Sequence, residues 1–487
     1  MDWLQAPDYW LTRLVLERAL GLIYLVAFLV AALQFRPLLG EKGLLPVPRF
    51  LKRVKFLEAP SLFHAHYSDA LLLAVAWTGV GLSAVVIAGV VDIAPPVIAI
   101  VVWFALWALY LSIVNVGQIF YGFGWETLLL EAGFLAIFLG AGPTVPAWPL
   151  ILLYRWLVFR VEFGAGLIKL RGDSCWRNLT CLYHHHETQP MPNPLSWFFH
   201  HLPKRVHRLE VLGNFFAQLV VPFFLFAPQP VASIAGAIIV ITQAWLVVSG
   251  NFSWLNFLTM TIAFAAFDDR TLSLVLPVQP PPHLAPLPIW WQLLILAVTV
   301  LVVVKSFRPI LNLVSPHQLM NFSFDPFHLV NTYGAFGSVT KERLEIIVEG
   351  SADPAASSAV WKAYEFKGKP GDPRRIPRQY APYHLRLDWL MWFAAMESPF
   401  RHQWLIAFLI RLLEGDRATL KLLRFNPFPS DPPKAVRANL YRYAFSSLEQ
   451  LRRDRVWWVR TPVGEYLPPL VLDANGNPAR LTSQDAD

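Results

Sequence analysis

The sequence predicts a polytopic α-helical membrane bundle followed by a strand-rich α+β, β-sandwich-like soluble domain at the C-terminus. Three observations predict it. The 487 residues are 55% hydrophobic and only 15% charged, where a soluble protein carries about 25% charge. The apolar residues gather in runs of about 20, the length that crosses a ~30 Å hydrocarbon core. From residue 308 charges become frequent and no further run reaches that length. We therefore expect a membrane domain over 1–307, a soluble domain over 308–472 and a flexible polar tail over 473–487.

Nine apolar segments are expected, near 15–35, 69–91, 97–118, 125–140, 148–170, 210–227, 231–250, 252–267 and 289–307. The fourth and eighth are short, which suits re-entrant or tilted helices. Pro95, Pro96, Pro143, Pro146, Pro149 and Pro228 sit at segment ends, where a missing N–H costs little. The start has no small-residue cleavage pattern ahead of its apolar run, so the first segment is expected to remain as an anchor. The run PVQPPPHLAPLP reads as a stiff extended connector to the last segment.

In the soluble part, RLEIIVEG and AYEFKGKPGDP have strand character and end in turn signals. HLRLDWLMWFAAMESPF has helical spacing, and RANLYRYAFS and RVWWVRTPVGEYLPP alternate as strands do. With nine spans the loops 36–68 and 171–209 share a side with the soluble domain. Both loops are basic, which argues for the cytoplasm. The cysteine pair and the sequons at Asn178 and Asn321 argue for the outside.

The net charge of +8 suits anionic lipid headgroups, so membrane lipid is an expected partner. No basic tract alternates with aromatics as a nucleic-acid groove requires, and nucleic acid is excluded as a partner.

Ionisable residues inside apolar segments cost about 2.5–3.5 kcal/mol each at a helix centre, so they pair or face a cavity. Arg155, Glu162 and Lys169 recur every seven residues, with Arg160 between them. That spacing sets the three near one stripe of a helix facing the bundle interior. Two readings stay open beside the snorkelling of Lys169 to the interface from the helix end. One is a structural ion-pair network with Glu126 or Glu131 of the preceding segment. The other is a polar cavity in which a desolvated Lys169 serves as a catalytic base, with Arg155 or Arg160 neutralising an oxyanion and Glu162 beside them.

The loop 171–209 holds both cysteines of the chain, Cys175 and Cys181, followed by His184, His185, His186 and Glu187. Zinc sites favour C-x2-4-C pairs or histidines on one helical face. The five-residue gap and three adjacent histidines fit poorly, so no metal is expected, and no cofactor. The gap also lacks the C-x-x-C arrangement of a thiol exchanger. If the loop lies outside, a disulfide that shapes the turn is the favoured pairing. Pro190, Pro192 and Pro194 alternate, giving a semi-rigid extended strip that leads into the aromatic helix LSWFFHHL, suited to the membrane interface. His184, His185, His186, Glu187, Pro192, Asn193 and Trp197 are the candidates for holding a client or substrate. The alternative is a lid packed on the protein's own bundle.

Five long blocks carry a resemblance: YGFGWETLLLEAGFLAIFL, LRGDSCWRNLTCLYHHHETQPMPNPLSWFFHHLP, NTYGAFGSVTKERLEIIVEGS, YEFKGKPGDPRRIPRQYAPYHLRLDWLMWFAA and VWWVRTPVGEYLPP. Together they closely resemble the lipase maturation factor family. The resemblance implies a multi-spanning membrane protein with a luminal soluble domain that assists folding or assembly of secreted lipases. It implies the endoplasmic reticulum membrane in a eukaryote, or the inner membrane with a periplasmic domain in a bacterium. A shorter segment, AGLIKLRGDSCW, resembles the catalytic-lysine region of vitamin K-dependent γ-carboxylases and related horizontally transferred transmembrane domains. It places Lys169 where those enzymes hold their base, which implies a carboxylase-like enzyme of a lipid or quinone-type substrate as the alternative function.

Overall fold

The computed structural model describes residues 2–93, 95–140, 142, 144–354 and 358–481. Pro143 and the last six residues of the expected tail, 482–487, lie outside the described residues.

Six helices are long and apolar enough to cross a membrane: Pro7–Leu39, Asp69–Ile87, Pro96–Val116, Lys204–Phe226, Val231–Ser249 and Ile289–Val314. The other three expected segments are helices of different character. The fourth is only Gly124–Ala136, and the eighth is a short apolar helix, Leu255–Ala266. The fifth, Trp148–Arg171, has the length to span but carries the buried charges. We number the helices that matter below α1 (Trp10–Leu39), α2 (Asp69–Ile87), α3 (Pro96–Val116), α4 (Gly124–Ala136), α5 (Trp148–Arg171), α6 (Lys204–Phe215) and α7 (Val231–Ser249). α8 (Leu255–Ala263) and α9 (Ile289–Lys305) complete the bundle.

Local sequence sets these boundaries. Ser68 caps α2, its Oγ accepting from Leu71 N–H at 3.1 Å, and Pro96 and Pro149 occupy first-turn positions of α3 and α5, where their fixed φ suits a helix. α6 does not run straight to Phe226. It passes into a π turn over Phe216–Val220 and a 3-10 turn over Val221–Phe226. Pro222 explains the break, because its ring clashes with the carbonyl four residues back and it donates no hydrogen bond. α1 is the centre of the bundle, with Leu20, Tyr24, Ala27, Phe28 and Ala31 all buried. Trp77, Phe104, Ile241, Leu293, Val300 and Val304 point outward, giving an apolar belt suited to lipid.

The C-terminal part is built on one antiparallel five-stranded sheet in the order β4-β3-β5-β6-β7. Its strands are β3 (Arg343–Ser351), β4 (Lys362–Ala363), β5 (Ala435–Phe445), β6 (Trp458–Leu472) and β7 (Pro478–Arg480). A separate pair, β1 (Phe322–Ser323) with β2 (Asn331–Thr332), precedes it. β3 and β5 pair continuously from Arg343 opposite Tyr443 to Ser351 opposite Ala435. The layer against the sheet is helical: α10 (Arg386–Ala394) on β3 and α11 (Gln403–Leu413) on β5 and β6. Trp404, Leu405, Phe408, Leu409 and Leu412 form the buried stripe of α11, the spacing of one helix face. The segment AYEFKGKPGDP contributes only β4 and a single bridge from Glu365 to Phe425. Its glycines and prolines weaken a longer strand.

The C-terminal end of α1 meets the soluble part directly. Gln34 donates to the His384 carbonyl at 2.7 Å and accepts from Arg386 N–H at 3.1 Å. The end of α1, the loop 171–209 and the sheet therefore lie at one end of the bundle.

Candidate functional site

Four of the five charged residues of α5, Arg155, Arg160, Glu162 and Lys169, are buried, each at most 4% exposed. They do not pair with one another. Arg155 donates to the carbonyls of Ala265 (2.8 Å) and Leu225 (3.0 Å) and to the Tyr9 hydroxyl (3.0 Å), and it lies over the Trp148 ring. Helix ends and irregular turns leave carbonyls unpaired, and Arg155 uses those at the end of α8 and of the 3-10 turn. Glu162 accepts from Gln243 at 2.6 Å, whose own oxygen accepts from Asn256 at 2.6 Å. Lys169 donates to Asn214 Oδ1 (3.0 Å) and Gln218 Oε1 (2.8 Å) and sits 5.2 Å from the centre of the Trp176 ring. Gln218 belongs to the π turn, so the break that Pro222 imposes also supplies a partner for Lys169.

Among the described residues, Arg160 alone on this helix makes an ion pair, with Glu131 of α4. The same carboxylate accepts from Asn331 N–H (2.9 Å) and the Tyr333 hydroxyl (2.7 Å), and Arg160 donates to the Asn331 carbonyl at 2.6 Å. Glu126, the other acid of α4, receives the Tyr110 hydroxyl and pairs with Arg386 at 2.9 Å, with His384 at 3.7 Å. Arg386 is wholly buried over the Tyr121 ring, 3.4 Å from its centre. The two acids of one short helix thus fasten two segments from beyond the last span. Gly164 serves the same junction: a Cβ there would collide with the Tyr333 carbonyl.

The loop 171–209 fills the space between bundle and sheet. Cys175 and Cys181 are joined by a disulfide, which closes the turn ahead of a short helix, Leu182–Thr188. The proline strip that follows is covered over most of its length, with Pro194 half-buried and Leu195 exposed at its end. Pro190, Met191, Pro192 and Asn193 are buried, because both sides of the strip are occupied. On the bundle side, Asn193 donates to the Val248 carbonyl at 2.9 Å, and the Pro192 carbonyl accepts from Asn251 at 3.1 Å. From the sheet side, Arg343 of β3 donates to the carbonyls of Glu187 (2.9 Å), Gln189 (2.5 Å) and Pro190 (3.1 Å). Glu187 accepts from Phe445 N–H at 2.6 Å; burial raises its carboxyl pKa and this bond draws it down.

The aromatic helix, Ser196–His200, packs on the soluble part. Trp197 donates to the Ser446 carbonyl at 2.9 Å and meets the Trp457 ring. His185 lies between the rings of Phe252 and Phe336, His186 is buried at 3% exposure, and His184 is partly exposed. A separate cleft of about 700 Å³ opens beside the end of α3, lined by Phe50, Leu57, Asn115, Phe322, Phe324 and His328. Lys169 and the loop 171–209 are not among its walls.

Sequence reasoning singled out the acids and bases of α4 and α5 but missed their long-range partners, Arg386, Asn331 and Tyr333, and the loop's clamp, Arg343. The one signal available was that Arg343 and Arg386 open apolar runs, RLEIIV and RLDWLM, where an arginine is hard to bury alone.

These features define an integral membrane protein with several transmembrane helices, whose strand-rich C-terminal part is locked to the bundle through buried charges and one bridging loop. Residues 11–274 match the lipase maturation factor transmembrane domain, and residues 329–468 match the lipase maturation factor C-terminal domain. The chain is 44% identical to lipase maturation factor 1 of Bos taurus over 96% of its length and 90% of the relative's. It is 43% identical to that of Homo sapiens, over 96% and 89%. Lipase maturation factor 2 of Rattus norvegicus is 29% identical over 92% of this chain and 82% of its own length. No solved structure matches. The chain belongs to the lipase maturation factor family.

Proposed function

We infer that this chain is a membrane-embedded maturation factor that assists folding or assembly of secreted lipases. Family membership along nearly the whole chain, through both domains, is the observation that carries this reading. The disulfide-bearing loop and the sheet share one end of the bundle, and disulfides persist in oxidising compartments. That argues for a luminal soluble part in a eukaryotic cell, or a periplasmic one in a bacterium, against the basic character of the loops. On this reading His185, Asn193 and Trp197 act by holding the soluble part in place, and the client meets the surface so positioned. The test is complementation of cells lacking the gene, reading secreted lipase activity per unit of secreted lipase mass. Restoration of lipase specific activity, with an unrelated secreted protein unaffected, is expected. Unchanged lipase specific activity with and without the chain overturns the reading.

A further inference from the structure

His186, His207 and Glu210 come together where the loop helix Leu182–Thr188 meets the first two turns of α6. One ligand atom of each lies within 4.8 Å of the others. His207 and Glu210 are three residues apart on α6, which sets them on one face, and His207 Nδ1 lies 3.0 Å from Glu210 Oε2. His186 is 3% exposed, and among the described residues neither of its ring nitrogens has a hydrogen-bond partner. A buried imidazole with both nitrogens idle is a costly arrangement, and it asks for a ligand.

The surroundings have the form of a built site. The second nitrogen of His207 lies 3.4 Å from the His200 carbonyl, and the second oxygen of Glu210 accepts from Trp245 Nε1 of α7 at 3.1 Å. Histidine and carboxylate ligands of zinc are held in this way, the outer bond fixing ring orientation and tautomer. In a tetrahedral site with bonds of ~2.0–2.1 Å, ligand atoms stand about 3.3 Å apart. The His207–Glu210 pair, at 3.0 Å, is close to that spacing, and the His186 nitrogen, within 4.8 Å of both, has at most about 1.5 Å to close.

We propose that His186, His207 and Glu210 bind one divalent transition metal ion, zinc by the chemistry of the donor set, leaving one position for water. The site does not use the cysteines, which are committed to each other. It ties the loop 171–209 to α6, and through Trp245 to α7, so the metal staples the loop that carries the soluble part. This inference stands whether or not the client is a lipase.

The experiment uses full-length protein in detergent, purified without a histidine tag, stripped with EDTA and titrated with zinc. Calorimetry and elemental analysis are expected to give one zinc per chain. His186→Ala and Glu210→Gln are each expected to weaken binding at least about tenfold, whereas exposed His317→Ala leaves it unchanged. Glu210→Gln keeps the shape of the side chain and guards against a folding failure of His186→Ala. If both variants misfold, cobalt titration of the wild-type chain decides: tetrahedral visible absorption bands support the site. Absence of stoichiometric zinc, or zinc retained undiminished by a folded variant, overturns it.

Discussion

Glu126 of the membrane domain and Arg386 of the soluble part form an ion pair at 2.9 Å, with both side chains wholly buried. They are 260 positions apart in sequence. Removing one partner of a buried pair leaves an uncompensated charge and costs about 3–5 kcal/mol. Glu126→Gln or Arg386→Met is therefore expected to undock α10 from α4. Faster proteolysis between the domains and a lower melting temperature in detergent would report it. The double variant should recover part of the loss, since no lone charge remains.

Arg343 gives the loop 171–209 its grip on the sheet, through three carbonyls and a 2.6 Å ion pair to Glu345. Arg343→Met keeps the stem and removes every donor. Hydrogen exchange over residues 182–200 should quicken, and lipase maturation should fall with it. Unchanged exchange would mean that the loop is held from the bundle side alone.

The disulfide between Cys175 and Cys181 closes a short loop, for which chain entropy predicts a contribution of about 2 kcal/mol. Paired Cys175→Ser and Cys181→Ser substitutions should lower the melting temperature of the oxidised protein by the same amount as reduction of the wild type. A reductant should then have no further effect on the variant.

Asp388, buried in α10, has its carboxyl pushed up to about 6 by burial, with the Gly368 N–H bond and nearby lysines drawing it down. A carboxyl whose folded value is raised favours the folded state at low pH. That favour is complete below the unfolded value near 3.8 and is lost as pH rises through about 6. Asp388→Asn, which still offers Gly368 an acceptor, should stabilise the protein at pH 7. At about 1.4 kcal/mol per pH unit, the gain is on the order of 3 kcal/mol. The advantage should shrink toward pH 4 in a melting series.

Lys169→Met separates scaffold from catalyst. The ammonium bridges Asn214 and Gln218, so the scaffold reading expects a modest loss of stability with lipase maturation proportional to folded protein. A normally folded Lys169→Met chain that has lost all activity would instead favour a base at this position.

The class of the fold was legible because burial of 20 apolar residues and strand alternation are local patterns. Charges on α5 were legible as buried because lipid tolerates them so poorly. Their partners were not, since Glu162 and Lys169 are met by amides of α6, the π turn and α7 that look unremarkable in sequence. From sequence the proline strip is equally a client site or a lid on the bundle because its rigidity is local, while its cover comes from Asn251 and Arg343, 58 and 150 positions beyond Asn193. The histidine run hid its arrangement in the same way: only His186 turns toward His207 and Glu210.

The short helix α4 has a consequence for how the chain is made. Glu126 and Glu131 reach the membrane long before the ribosome has produced Asn331, Tyr333 and Arg386. Arg160 can answer Glu131 early, but nothing answers Glu126 with a full charge until the last third of the polypeptide has emerged. A prematurely stopped chain thus keeps Glu126 in its bundle with the Tyr110 hydroxyl but without the guanidinium that balances its charge.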